Sequence, residues 1–282
     1  MTLWLSVAGL TDVGCERELN EDSFYYRAVQ SSDEGPLGLL AVADGMGGQL
    51  AGEVASRWTV QTLKRELAPL FRPQDPAVTR QLDAEALAVV GSGITVRLEE
   101  TDLVRLLQHA VERANQVLLG YARQRPAQAD GMGSTLTLAV VEDRRLTVVH
   151  IGDSRAYLWR DGQLSQLTDD HSVPGALLKQ GKIKPDEVYT HPHRNVLYRC
   201  LGLKPGVEVD HYPPLELRPG DGLLLCSDGL WNMVYPTEQM TALVAEGGDP
   251  PAICRRLIDA AKRAGGEDNV TAIWAKLVGD DG

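Results

Sequence analysis

The chain has 282 residues, 43% of them hydrophobic and 24% charged, ordinary proportions for a globular protein. Its formal net charge of -11 argues against a nucleic-acid binder, whose affinity comes largely from cations that displace counterions along the phosphate backbone. No run approaches the ~18 apolar residues that a membrane helix needs, and residues 1–9 lack the basic region and apolar length of a signal peptide. The expectation is a cytoplasmic chain with no nucleic-acid and no membrane partner.

In chain order, strands are expected over 3–9, 23–28 and 37–43, the last ending at Asp44-Gly45. A helix follows over 52–70, with Val54, Trp58, Leu63 and Leu67 near one face. A second helix over 102–123 carries Leu103, Leu106, Leu107, Ala110, Ala114, Val117 and Leu118 on a 3.6-residue period. Between them, 72–100 has no clear period and is expected as an irregular insertion. Strands resume over 134–141, 146–151 and 155–159, the last closed by the hairpin signal Asp161-Gly162. Residues 169–206 are irregular, with one short helical piece around 175–180. Strands over 208–217 and 222–226, helices near 236–245 and 250–264, and a strand over 270–278 complete the chain. Strands that do not alternate regularly with helices indicate an α+β domain rather than a doubly wound parallel sheet. Ala43-Asp44-Gly45-Met46-Gly47 recurs as Ala129-Asp130-Gly131-Met132-Gly133, but unmatched flanks exclude a solenoid period.

The four cysteines, Cys15, Cys200, Cys226 and Cys254, form no C-x-x-C pair, so neither zinc ligation nor a disulfide scaffold is indicated. A cysteine-dependent phosphatase needs Arg six residues after its nucleophile; those positions hold Glu21, Gly206, Asn232 and Ala260. Nor does the chain spell G-x-G-x-x-G, G-x-x-x-x-G-K-[ST] or G-x-S-x-G.

The informative feature is the acidic residues at the ends of apolar strands. Residues 39–43 run into Asp44-Gly45-Met46-Gly47-Gly48, residues 223–227 into Asp228-Gly229. Glu267-Asp268-Asn269 precedes the last strand, and Asn20-Glu21-Asp22 an early one. Any one Asp-Gly after a strand reads equally as a turn. Together with a glycine cluster that lets main-chain carbonyls approach a ligand, the carboxylates form a hard-donor set suited to Mg²⁺ or Mn²⁺. Arg17, three residues ahead of Asn20, is a surface charge in the plain reading. Beside such a cluster, its guanidinium is also the group that would fork onto phosphate oxygens.

Arg17-x-x-Asn20-Glu21-Asp22, Val42-Ala43-Asp44-Gly45-Met46-Gly47-Gly48, Gly133-Ser134-Thr135, Gly152-Asp153-Ser154-Arg155, Cys226-Ser227-Asp228-Gly229-Leu230 and Asp268-Asn269-Val270-Thr271 occur in the order seen in the protein phosphatase 2C family. The chain resembles these metal-dependent serine/threonine protein phosphatases, in their bacterial form, over nearly its whole length. The resemblance implies one phosphatase domain over 1–282, an α+β fold with a two-sheet antiparallel β-sandwich flanked by α-helices on both sides. It implies two Mn²⁺ or Mg²⁺ ions, with Asp44 bridging them, Asp228 and Asp268 on the first, and Glu21 and the Gly45 carbonyl on the second. Asp22 would act through water, and Asp130 would hold a weaker third ion with Asp228. Asp153 and Arg155 are expected to pair and brace strands, and 169–201 to form a flap beside the site.

The implied reaction is in-line attack on phosphorus by a hydroxide held between the ions, without a covalent intermediate. Arg17 would neutralise the phosphoryl oxygens. Met46 and Gln49 stand where relatives carry a histidine, so water becomes the expected proton donor to the leaving group. Implied partners are phosphorylated proteins, a Ser/Thr kinase among them, acted on by a monomer. A catalytically dead phosphoprotein-binding homologue would show a broken metal set, whereas Glu21, Asp44, Asp228 and Asp268 are all present.

Overall fold

The computed structural model of the chain describes residues 2–31, 35–48, 51–71, 100–129 and 131–279. Strands β1 (Leu3–Asp12), β2 (Asp22–Ser31) and β3 (Gly35–Met46) come first. Helix α1 (Ala51–Glu66), a 3₁₀ turn (Ala68–Phe71) and helix α2 (Glu100–Gln124) follow. The central strands are β4 (Gly133–Ser134), β5 (Leu136–Glu142), β6 (Arg145–Ile151), β7 (Arg155–Arg160) and β8 (Gln163–Gln166). Helix α3 (Val173–Lys179), a second 3₁₀ turn (Pro185–Val188), β9 (Asp210–Glu216), β10 (Gly222–Cys226), α4 (Asp228–Trp231), α5 (Thr237–Ala245), α6 (Pro250–Arg263) and β11 (Val270–Gly279) complete the order.

One sheet runs β1-β11-β10-β7-β8 and the other β2-β3-β5-β6-β9, every pairing antiparallel, with β4 added to the end of β3. The apolar runs are unbroken because the central strands bury both faces. On β3, Leu39 and Ala41 pack with α1 and α2, while Leu40 and Val42 face the opposite sheet. On β10 and β11, Leu224, Cys226, Ala272 and Trp274 pack with α4, α5 and α6, while Leu223, Leu225, Ile273 and Ala275 fill the layer between sheets. Helices, sheet, sheet and helices therefore stack as four layers around three apolar clusters, as the α+β sandwich reading expected.

Most expected elements form, and local chemistry sets their ends. Asp161 and Gly162 both take left-handed φ values, 52° and 79°, so the Asp-Gly pair closes the β7–β8 hairpin. Asp249 caps α6 by accepting from the Ala252 N–H at 2.9 Å, with Pro250 at the first helical position. On α2, Leu103, Leu107, Ala110, Ala114 and Leu118 are buried as their spacing predicts.

The structure corrects four expectations. Trp58 is 40% exposed, and α1 instead buries Ala51, Ala55, Ser56, Thr59 and Leu63. The helix ends at Glu66 rather than continuing to 70. The expected strand over 134–141 breaks at Thr135, whose N–H donates to the Asp44 carbonyl at 2.8 Å and whose hydroxyl accepts from the Asp44 N–H at 2.9 Å. Arg155 pairs with Asp170 rather than Asp153, through Nε–Oδ1 and Nη2–Oδ2 contacts of 2.9 and 2.7 Å. Residues 72–99 of the expected insertion lie outside the described residues, and Glu100 already belongs to α2.

The Arg155 guanidinium also lies 3.5 Å from the centre of the Trp231 ring, and both partners of its ion pair are almost wholly buried. Removing one member leaves an uncompensated charge inside the protein. Arg155→Met is expected to lower the unfolding free energy by about 3–5 kcal/mol, measured by denaturant unfolding; a loss below ~1 kcal/mol would show that Asp170 finds water or another partner.

Candidate metal centre

The strands place their acidic ends at one edge of the sandwich. Asp22 opens β2 directly opposite Asp44 near the end of β3. Asp228 follows β10 and Asp268 precedes β11, strands that are antiparallel neighbours in the other sheet. The Asp22 Oδ2 atom accepts from Ser227 Oγ and Thr271 Oγ1, both at 2.6 Å. Its Oδ1 is buried without a partner, as is the Oδ1 of Asp228. Asn232 Nδ2 reaches the other Asp228 oxygen only at 3.4 Å.

Glycines let main chain and carboxylate crowd together. A Cβ on Gly45 would collide with the Gly52 carbonyl oxygen and meet that of Glu21 at 2.8 Å. A Cβ on Gly52 would collide with the Glu21 carboxylate and meet the Gly45 carbonyl oxygen at 2.8 Å. Glu21 and the Gly45 carbonyl thus converge at the start of α1, where the Gly52 N–H donates to the Glu21 carboxylate. Asn269 clamps the loop that carries Arg17 and Glu21. Its Nδ2 donates to the carbonyls of Val13 (2.9 Å) and Leu19 (2.8 Å), and its Oδ1 accepts from the Glu21 N–H at 2.7 Å. Arg17, at the exposed rim, donates from Nη2 to Asp268 Oδ2 at 2.7 Å.

Electrostatic crowding is the dominant property of this edge. Burial, followed by the charges of Asp22, Asp228, Asp153 and Asp268, raises the Asp44 carboxyl well above its ordinary range. Burial raises Asp22 to about 7 against the opposing hydrogen bonds from Ser227 and Thr271, with Asp228 and Asp268 adding to the rise. Asp228 reaches about 6 through burial and then Asp268. Glu21 is raised by burial, which outweighs the pull of Arg17. Among the described residues, no three carboxylates, imidazoles or thiols close around one point; Asp268 is paired with Arg17, and Asp22 with its two hydroxyls.

The structure brings Arg17, Glu21, Asp22, Asp44, Gly45, Asp228 and Asp268 to this edge, whereas Asp130 lies outside the described residues. Sequence reasoning gave Asp153 only a bracing role. It is 5% exposed, takes no part in the Arg155 ion pair, and is raised well above its ordinary range by burial and then by Asp228 and Asp170. The supporting roles of Ser227, Asn269 and Thr271 were missed, although all three stand inside the quoted motifs. Met46 is turned away from acid–base work and packs its sulfur 3.7 Å from Cys200 Sγ.

Orphaned carboxylate oxygens, a main-chain carbonyl at a glycine-lined approach and mutually repelling acids fit hard divalent cations. Comparisons with known proteins agree. The family model described as protein phosphatase 2C matches residues 16–251. The chain is 38% identical over 288 residues to the serine/threonine protein phosphatase PstP of Mycobacterium tuberculosis, covering 100% of this chain and 46% of that protein. It thus spans about half the length of that relative. A serine/threonine phosphatase of Listeria innocua is 33% identical, with 93% of this chain and 92% of the relative covered. The catalytic domain of PstP in complex with two manganese ions superposes with a TM-score of 0.73 at 33% identity, over 99% of this chain and 100% of that one. With the family model covering most of its length and the carboxylate edge built by the family's own motifs, the chain belongs to the protein phosphatase 2C family.

Proposed function

We propose that the chain is a Mn²⁺- or Mg²⁺-dependent phosphatase acting on phosphoserine and phosphothreonine in proteins. The observation that carries this reading is the edge where burial raises the carboxyls of Asp22, Asp44 and Asp228, with unpartnered buried oxygens on Asp22 and Asp228. Asp44 would be shared by two ions, Asp228 and Asp268 would serve the first, and Glu21 with the Gly45 carbonyl the second. Asp22 stands behind them as a water-mediated partner. A weaker third position was expected at Asp130; among the described residues, Asp153 is a buried carboxylate close enough to Asp228 to be raised by its charge. When bound, such a pair of ions supplies an acidified water as nucleophile and neutralises phosphoryl charge.

The chain's own residues do the remaining work. Arg17 is exposed enough to exchange Asp268 for phosphate oxygens, to which a guanidinium forks well. Burial pushes the thiols of Cys200 and Cys254 up to about 12 and 11, and raises Cys226 further. These three are therefore poor nucleophiles at neutral pH, in keeping with a path that makes no cysteinyl-phosphate. With Met46 packed on Cys200, the leaving alkoxide takes its proton from water. The substrate class includes a Ser/Thr kinase, and the protein works as a cytoplasmic monomer. No helix among the described residues is long and apolar enough to cross a membrane.

Phosphate release from a phosphothreonine peptide is expected to require added Mn²⁺ or Mg²⁺ and to stop with EDTA. Asp228→Asn should cost more than the ~10–100-fold typical of outer-shell partners while the variant stays folded by circular dichroism. An active Asp228→Asn enzyme would sink the ligand assignment.

Arg17→Ala removes a charge-assisted contact of about 1.5–3 kcal/mol. Because Arg17 is half exposed, KM for the peptide should rise by ~10-fold, the low end of that range, with kcat less affected. An unchanged KM would remove Arg17 from substrate binding.

Proton linkage gives a further expectation. Asp22 titrates near 7 in the folded chain against about 3.9 unfolded. Between those values the native state holds more protons, so metal-free stability falls as pH rises. Mn²⁺ binds the ionised groups and releases protons. The rise in Tm on adding Mn²⁺ should therefore be larger at pH 8 than at pH 5.5. An equal rise at both pH values would contradict the raised carboxyls.

A further inference from the structure

A buried hydrogen-bonded chain connects the main chain of Asp44 to the root of the flap. The Asp44 N–H donates to Thr135 Oγ1, which lies 2.7 Å from Ser154 Oγ. The Ser154 carbonyl accepts from Thr137 Oγ1 at 2.6 Å, and Thr137 Oγ1 lies 3.0 Å from His150 Nδ1. His150 Nε2 is 3.0 Å from the Gly152 carbonyl oxygen. That carbonyl also accepts from the His171 N–H at 2.7 Å. The Gly152 N–H returns to His171 Nδ1 at 3.1 Å. The two imidazoles are in tilted contact with centroids 4.9 Å apart, and both are essentially inaccessible to solvent.

The direction of these bonds fixes the tautomer of His171. An N–H donor at Nδ1 requires that nitrogen to be bare, so the ring proton sits on Nε2. Nε2 in turn faces Asp210 Oδ2 at 3.1 Å, and Asp210 Oδ1 accepts from Arg199 Nη1 at 2.8 Å. Arg199 lies on the returning arm of the flap. Next to it, Tyr198 donates its N–H to the His171 carbonyl at 2.9 Å. Gly152 takes a left-handed φ of 109°, and a Cβ there would meet Thr135 Cβ at 2.5 Å. No larger residue fits the turn that the imidazole grips.

We propose that His171 is a positioning residue with two separable jobs. Its bare Nδ1 fixes the turn that presents Asp153 to the carboxylate edge, and its Nε2–H, through Asp210, fixes the flap's returning arm. The first job rests on the reading of that edge as a metal centre; the second does not.

The two nitrogens can be tested apart, because an Asn side chain places an amide near Nδ1 and a Gln side chain places one near Nε2. His171→Gln keeps a donor for Asp210 and loses the acceptor for Gly152. Its Mn²⁺ dissociation constant, read by titration calorimetry, should rise by ~10-fold, while tryptic cleavage within residues 169–201 proceeds as in the wild type. His171→Asn should do the reverse, with Mn²⁺ affinity retained and flap cleavage accelerated. Asp210→Ala, at a half-exposed site, should match His171→Asn and guards against a buried variant that fails to fold. Both properties changing together in all three variants, or neither changing in any, would overturn the proposal. A wild-type protein that binds no Mn²⁺ would overturn the metal-centre reading and the Asp153 half with it, and the proteolysis comparison would still decide the flap half.

Discussion

Asp22 and Asp44 face each other across a β-ladder, and Asp228 approaches from the second sheet, so folding must bring like charges together at the edge of an apolar sandwich. Each carboxylate removed from water costs far more than a neutral polar group unless it is protonated or paired. The chain offsets part of this cost with fixed neutral donors. Ser227 and Thr271 hold one oxygen of Asp22, and Gly52 offers its N–H to Glu21. These donors satisfy some lone pairs and leave others bare, which keeps the edge poised for cations.

Holding that edge open is a task for loops rather than for the strands themselves. Asn269 ties three points of the residues 13–21 loop to the start of β11. The same loop is pinned from outside, where the Cys15 N–H donates to the Gly266 carbonyl at 2.7 Å and Gly14, at φ 82°, leaves no room for a side chain. Arg17 therefore emerges from a rigid base and reaches Asp268 as the counterion already present. An exposed pair of this kind contributes little to stability, which suits the exchange of partners proposed for Arg17.

The sandwich was legible because its central strands are buried on both faces, and unbroken apolar runs ending in Asp-Gly are a local signal. The residues of the carboxylate edge were legible for the same reason. Long-range pairing was not. Asp153 and Arg155 were expected to pair, but Gly152 opens a left-handed turn there, and the true partner of Arg155, Asp170, lies in an irregular segment without periodicity. Trp58 was placed inward on its spacing with Val54, Leu63 and Leu67, whereas α1 lies so close to β3 that Gly52 meets Gly45. At that end of the helix the buried residues are the small Ala51, Gly52, Ala55 and Ser56.

The segment over residues 169–201 is tied to the carboxylate edge through β4. Its returning arm ends at Leu201, which exchanges both main-chain hydrogen bonds with Ser134, at 3.1 and 2.8 Å. Ser134 pairs with Gly45 in the β3–β4 ladder, and its neighbour Thr135 holds the main chain of Asp44. Cys200, one residue before Leu201, packs on Met46, one residue after Gly45. A displacement of Leu201 must therefore either stretch the bonds of Ser134 or carry Gly45 with it. Because strand ladders are stiff and the glycine approach is already at contact distance, the geometry of residues 200–201 and the placement of the Gly45 carbonyl are mechanically coupled.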